Sequence, residues 1–129
     1  MRAIDRLALL AAVLAACSLR PTAPDEGTVG PEIRFQWDYA AGDYIRATPL
    51  IEGEFVYFGS DDNHVRSLRA ATGDLVWDFE TTDNVASTPA AHANLLLVTS
   101  WDGILYALDA ASGQEQSSFG TAGPISASP

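Results

Sequence analysis

Three consecutive residues, Asp61-Asp62-Asn63, supply the carboxylate and amide oxygens that a calcium ion prefers. His64 and His92 are further candidate metal ligands, but neither has a cysteine or a second histidine at ligand spacing. Forty residues after the acidic triplet, the aligned residues Trp101-Asp102-Gly103 have only the composition of a hairpin turn. No nucleophile–base grouping or phosphate-binding loop accompanies these residues. We therefore predict turns here, with no catalytic residue, metal or cofactor.

A different chemistry is predicted at Cys17, the only cysteine of the 129 residues. The apolar run over residues 7–16 is far shorter than the roughly 20 residues that cross a bilayer. It ends in Leu14-Ala15-Ala16-Cys17, which resembles the lipobox of bacterial lipoprotein signal peptides. We expect residues 1–16 to be a signal peptide and Cys17 to carry a lipid anchor. The alternative is an ordinary secretory signal in which Cys17 is incidental.

Composition limits the class of protein and its partners. The net charge of −10 argues against a nucleic-acid partner, because phosphate binding needs a basic face. Residues 17–32 are rich in Pro, Gly, Thr and acidic side chains, which predicts a flexible tether. From residue 33 onward, short apolar or alternating runs are broken by turn signals, which is the pattern of an all-β fold.

A 40-residue repeat organises residues 33–129. Ala47-Thr48-Pro49 returns as Ser87-Thr88-Pro89 and again as Ala127-Ser128-Pro129, 40 residues later each time. A fixed period of this length indicates a repeat architecture. Four short strands per repeat predict a partial β-propeller of antiparallel four-stranded blades, at about 46–84 and 85–123.

The expected strands follow the same period. In the first unit they are 48–51, 55–59, 65–68 and 75–79, and in the second 88–91, 95–99, 104–108 and 115–119. Residues 33–39 are expected to be the outer strand of a preceding blade. Because a third copy begins at residue 127, we expect the chain to be the start of a longer propeller. Terminal blades would then expose apolar faces, so the isolated chain is expected to aggregate.

The repeat resembles that of pyrroloquinoline-quinone-type (PQQ-like) propellers, over about residues 33–129. The resemblance lies in the strand Tyr106-Ala107-Leu108-Asp109, in the Gly73 and Gly113 turns, and in Trp77, four residues after Gly73. Two residues depart from the pattern. Arg69 stands where the second unit has Asp109, and Ser117 stands where the second unit would have its tryptophan. The WD40 repeat has a similar period, but here no Trp-Asp pair ends the third strand and the Gly-His dipeptide is missing.

The resemblance implies that the tryptophan docks against the neighbouring blade. It also implies a non-enzymatic envelope lipoprotein that acts as a protein-interaction scaffold, with assembly of outer-membrane proteins as one role. Its partners would be other envelope proteins or peptides. The anchor at Cys17 would hold it at the outer membrane or at the outer face of the cytoplasmic membrane.

Two alternatives remain open. One is a fragment of a PQQ-dependent dehydrogenase, a class that combines a complete propeller with a catalytic Asp, calcium ligands and commonly a vicinal disulfide. A lone Cys17 excludes that disulfide, and no Asp of this sequence can be assigned the catalytic role. The other alternative is a ligand-sensing surface propeller.

Overall fold

The computed structural model describes residues 6–8 and 36–129, and these residues form ten β-strands. No helix in the described ranges is long and apolar enough to cross a membrane. The strands are β1 (Arg6–Ala8), β2 (Asp38–Ala40), β3 (Leu50–Glu52), β4 (Phe55–Gly59), β5 (His64–Arg69), β6 (Leu75–Glu80), β7 (Ala90–His92), β8 (Leu95–Thr99), β9 (Ile104–Asp109) and β10 (Glu115–Gly120).

Two antiparallel sheets of four strands contain most of these strands. The first sheet has the order β3-β4-β5-β6 and the second has β7-β8-β9-β10, so neighbours in sequence are neighbours in space. Their registers match at a spacing of 40 residues, as in the pairs Leu50↔Tyr57 and Ala90↔Leu97. Each sheet also has an irregularity where its third strand meets its fourth. The predicted repeat is thus one four-stranded sheet.

The hairpins between the second and third strands need a residue with positive φ. Asn63 supplies it in the first sheet with φ 70°, and Gly103 supplies it in the second with φ 82°. Asn and Gly are the residues that adopt this left-handed conformation at least cost. The acidic triplet Asp61-Asp62-Asn63 therefore forms a turn.

The first strand of each unit, which we call the innermost strand, begins later than the sequence predicts. The strands expected at 48–51 and 88–91 are β3, from Leu50, and β7, from Ala90. Pro49 and Pro89 directly precede them, and proline has no N–H group to donate to a sheet. The outermost strands extend one residue further than predicted, to Glu80 and Gly120.

A short sheet outside the two units was not predicted, and its first strand lies within residues 1–16, the predicted signal peptide. β1 pairs antiparallel with β2, with Arg6 opposite Ala40. Strand β2 is the 40-residue equivalent of β6, so Ala40 corresponds to Glu80. β1 therefore pairs with β2 as β5 pairs with β6, where His64 is opposite Glu80. The strand predicted at 33–39 is β2, which begins at Asp38; residues 33–35 lie outside the described residues. So do Cys17 and the predicted tether.

The first sheet is packed on both faces. Tyr57, Val65 and Trp77 of its one face contact Leu96 and Leu108 of the second sheet. On the other face, Trp37 and Ala41, which flank β2, form a second buried cluster with residues of the sheet: Val56, Phe58 and Leu68. Burial of apolar surface between sheets is the main stabilising contribution, at about 25 cal/mol per Å².

Candidate interaction surfaces

Tryptophans lock each unit to the next at one end of the sheets. The indole N–H of Trp77 donates to the Ala110 carbonyl at 3.0 Å, and that of Trp37 donates to the Ala70 carbonyl at 2.8 Å. Trp77 lies flat against Gly113, since a Cβ on that glycine would come within 2.5 Å of the indole. An equivalent contact joins Trp37 to Gly73. The outer strand of one unit is therefore fixed to a hairpin of the next.

At the opposite end, a serine and an aspartate in each unit hold the loop that leads into the sheet. The buried Ser100 hydroxyl lies 3.0 Å from the Asp83 carbonyl, and Ser60 makes the same contact with Asp43 at 3.1 Å. The carboxylate of Asp102 accepts hydrogen bonds from the Thr82 amide, the Thr82 hydroxyl and the Ile104 amide. Asp102 therefore has a defined structural task in its loop.

The Thr-Pro motifs lie at this same end, next to the innermost strands. Pro89 is buried and Pro49 is half-buried. The amide of Thr88 donates to the Ser128 hydroxyl at 2.9 Å, while Thr48 is exposed. The motif residues are thus divided between the two ends of the sheets. Trp77, Gly73 and Gly113 are at one end, and the Thr-Pro motifs, Asp102 and Gly103 are at the other.

A charged cluster distinguishes the first sheet from the second. The guanidinium of Arg66, only 7% exposed as a residue, binds both oxygens of Asp62 at 3.0 and 2.8 Å. Its Nε lies 3.3 Å from Asp78, whose other oxygen is 2.5 Å from Nδ1 of His64. This cluster was not predicted from the sequence. The signal available was the loss of repetition, because the second unit has Ile104, Tyr106 and Ser118 at these positions.

Hydrogen bonds favour the ionised forms of Asp62 in this cluster and of Asp102 in the second unit. Burial alone would raise the pKa of Asp62, but bonds from Arg66 and the Gly42 amide lower it below its usual value. Burial likewise opposes the charge on Asp102, while bonds from Tyr106, Ile104 and Thr82 lower the pKa of that carboxyl. Burial and the bond to Asp102 together raise the pKa of the Tyr106 hydroxyl.

The second sheet has an apolar face that is only partly covered by other described residues. Both faces of the first sheet are better covered. We call the partly covered face the open face; it comprises Leu95, Leu97, Leu105 and Phe119. Phe119 is 67% exposed, and the three leucines are half-buried. The repeat-equivalent residues of the first sheet, Phe55, Tyr57, Val65 and Phe79, belong to or pack against the cluster between the sheets.

Leu95 and Leu97 are half-buried on this face, whereas Leu68, Tyr57 and Leu108 are buried. Trp101 is also 39% exposed, whereas Trp37 and Trp77 are 9% and 8% exposed. An apolar sheet face and the fully exposed edge strand β10 are features that can bind another protein segment.

The described residues contain no group of three or more His, Cys, Asp or Glu side chains arranged to hold a metal ion. Asp62 and Asp102, which occupy equivalent positions in the two turns, are instead bound to neighbouring protein groups. The arrangement offers binding surfaces, and its polar clusters hold loops in place.

Comparison with known proteins identifies the repeat. A family model described as "Outer membrane protein assembly factor BamB" matches residues 34–126. No curated protein matches the chain.

Solved structures support the same architecture. BamB from Moraxella catarrhalis is similar, with a TM-score of 0.62 and 24% identity over 67% of this chain and 28% of its own. A europium-containing methanol dehydrogenase has a TM-score of 0.65 and 23% identity over 74% of this chain and 20% of its own. The quinohemoprotein alcohol dehydrogenase of Comamonas testosteroni has a TM-score of 0.56 and 27% identity over 60% of this chain and 13% of its own.

The chain thus spans less than a third of the length of each of these proteins. At such identities the likeness shows the fold. The two four-stranded sheets are blades of a β-propeller with PQQ-like repeats, as the sequence predicted.

Proposed function

Because the chain belongs to the family of the outer membrane protein assembly factor BamB, we propose that it is a non-enzymatic scaffold of the cell envelope. The match over residues 34–126 is the observation that carries the proposal, since it includes both blades. In this proposal the chain binds envelope proteins or peptides through blade faces and strand edges. The open face and the exposed strand β10 are surfaces of the required kind.

The process we propose is the assembly of outer-membrane proteins. A source-organism strain that lacks the chain should contain less folded β-barrel protein in its outer membrane. This quantity is measured by the heat-dependent mobility of those proteins in gels. A photo-crosslinking residue at Leu97, on the open face, should capture a component of the assembly machinery. The same residue at Ile51, an exposed position on the other sheet, is the control. Normal barrel levels in the deletion strain would contradict the proposal.

Membrane attachment through Cys17 is a separate part of the proposal. A Cys17→Ser variant should still be exported, but it should move from the membrane fraction to the soluble fraction because it lacks the thiol that carries the lipid. Fractionation with immunodetection, alongside metabolic labelling with a fatty acid, measures both. A variant that stays membrane-bound without incorporating label would contradict the lipid anchor.

A PQQ-dependent dehydrogenase is the second candidate, because two of the similar structures are a methanol and an alcohol dehydrogenase. It predicts that the chain binds PQQ in the presence of calcium and reduces an electron-accepting dye when given an alcohol. The scaffold predicts neither. Absorbance titration with PQQ, followed by the dye assay, separates the two candidates. A ligand-sensing propeller would instead bind a small molecule without turnover.

A further inference from the structure

Three side chains at the loop end of the first unit have no equivalents in the second. Tyr44, Arg46 and Asp61 stand where the second unit has Asn84, Ala86 and Trp101. The backbone is nevertheless the same, because the amide of Asp61 donates to the Tyr44 carbonyl at 2.8 Å and that of Trp101 to the Asn84 carbonyl at 3.0 Å. The second unit builds this loop without the three side chains. The fold therefore does not require them.

These three side chains form a compact set. Arg46 donates from Nε to one oxygen of Asp61, and its guanidinium carbon lies 5.3 Å from the centre of the Tyr44 ring. The Asp61 side chain is only 5% exposed, whereas that of Arg46 is 57% exposed. A buried carboxylate thus lies beside an arginine that is itself largely exposed.

One oxygen of that carboxylate has no hydrogen-bond partner. In the described part of the chain, three buried side-chain atoms lack one: Oδ1 of Asp61, Nε of Arg66 and Oγ of Ser67. Arg66 Nε still has the Asp78 carboxylate at 3.3 Å, and the Ser67 hydroxyl is neutral. The Asp61 oxygen is the costly one, because it belongs to a carboxylate that burial has separated from water. It calls for a further donor.

The surrounding charge favours a cationic donor. Residues 36–129 contain thirteen Asp and Glu but only three Arg. Each of those arginines is paired with a carboxylate of the chain itself: Arg46 with Asp61, Arg66 with Asp62 and Arg69 with Glu54. Asp43 adds to the negative field at Arg46. A guanidinium matches the set best, because it can donate to both carboxylate oxygens while lying over the Tyr44 ring.

We propose that Asp61 and Tyr44 form a receptor for an arginine side chain of a partner protein, and that Arg46 occupies this receptor in the free chain. A partner arginine displaces Arg46 and donates to both oxygens of Asp61, which Arg46 reaches at only one. That the partner is a protein rests on the proposed scaffold function. The guanidinium site itself does not.

Equilibrium dialysis of the full chain against radiolabelled N-acetyl-L-argininamide tests the site. Removing the internal occupant with Arg46→Ala should tighten binding at least about tenfold relative to the unmodified chain, a difference of about 1.4 kcal/mol. Adding Asp61→Asn should abolish that gain, and adding Tyr44→Ala should reduce it about threefold. Arg69→Ala is the matched control: Arg69 also lies near a ring, 5.9 Å from the centre of Phe55, but its partner Glu54 is exposed and leaves no buried carboxylate.

Far-ultraviolet circular dichroism of every variant verifies the fold, and Arg46→Gln provides a second variant that keeps a polar side chain but removes the charge. Equal binding by the unmodified chain and both Arg46 variants would overturn the proposal, as would binding that survives Asp61→Asn. A peptide with arginine at its centre, Gly-Ser-Arg-Ser-Gly with blocked ends, should bind more tightly than the free amide. Equal affinity would replace the protein partner by a small guanidinium compound. Because these measurements do not depend on barrel assembly, this inference and the scaffold function can fail separately.

Discussion

At the scale of single residues, Asp102 is the side chain with the clearest structural task. Tyr106 donates to its Oδ2 at 2.7 Å, and the Ile104 amide donates to its Oδ1 at 2.9 Å. The amide and hydroxyl of Thr82 also donate to Oδ2, at 3.3 and 3.1 Å. A carboxylate can accept on both sides, whereas an amide accepts on one and presents a donor on the other. Asp102 therefore cannot be replaced isosterically without losing bonds.

We predict that Asp102→Asn lowers the free energy of unfolding at pH 7 by about 1–2 kcal/mol. This loss is smaller than for a fully buried carboxylate, because water partly screens the site. The pKa of Asp102 is lower in the folded chain than the value of about 3.9 of the unfolded one. Its contribution is therefore complete above about pH 5 and is lost as the pH falls toward and through the folded pKa. Urea unfolding followed by tryptophan fluorescence should show a gap between variant and parent at pH 7 that narrows at pH 3. Glu52→Gln, at an exposed position, should show no gap; an equal gap at both pH values would contradict the prediction.

At the scale of elements, the hairpin at residues 110–113 is the point at which the first sheet holds the second. Gly113 has φ 73°, and a Cβ there would lie 2.5 Å from the Trp77 indole. Gly53 has a similar φ of 58° but has no atom within 4 Å of its Cβ position. The two glycines thus separate the cost of the backbone conformation from the cost of the tryptophan contact.

We predict that Gly53→Ala costs about 1–2 kcal/mol, because alanine is strained at positive φ. Gly113→Ala should cost about 1–3 kcal/mol more, since it also displaces Trp77. Trp77→Ala in the Gly113→Ala background should cost less than Trp77→Ala alone, because the clash has disappeared. Chemical denaturation of the four variants measures these differences. Equal costs for the two glycine substitutions would show that the tryptophan does not hold the hairpin.

The repeat explains how much of these elements could be predicted from sequence. Strands, hairpins and the docking position recur at a spacing of 40 residues, so each copy supports the interpretation of the other. The strand starts at Leu50 and Ala90 depend on hydrogen-bond donors that proline lacks, which a pattern of apolar residues does not reveal. The Arg66 cluster and the Tyr44, Arg46 and Asp61 set were missed for a different reason. Apart from Asp62, their members lie where the repeat is broken, so the alignment of copies carried no information about their partners.

At the scale of the whole molecule, the faces of the two blades differ in how well they are covered. The first blade has packed clusters on both faces, while the second presents the open face with Phe119 67% exposed. Ser117 stands where the first blade has Trp77, so the indole contact that fixes β6 to the next unit has no counterpart in β10. Strand β10 is exposed along its whole length, from Glu115 to Gly120. Exposed apolar faces and free strand edges both promote association.

We therefore predict that the chain self-associates in a concentration-dependent way and that Phe119→Ser weakens this association. Covering the Phe119 ring contributes about 2 kcal/mol, so the dissociation constant should rise roughly 30-fold. Sedimentation equilibrium over a range of concentrations measures the constant. Ile51→Ser is the matched control, since Ile51 is 53% exposed but lies on β3, away from the open face. If Phe119→Ser and Ile51→Ser weakened association equally, contact through the open face would be excluded. A parent chain that stays monomeric would contradict the prediction altogether. Leu97→Ser, on the same face, should act in the same direction as Phe119→Ser because both side chains would be covered by one partner surface.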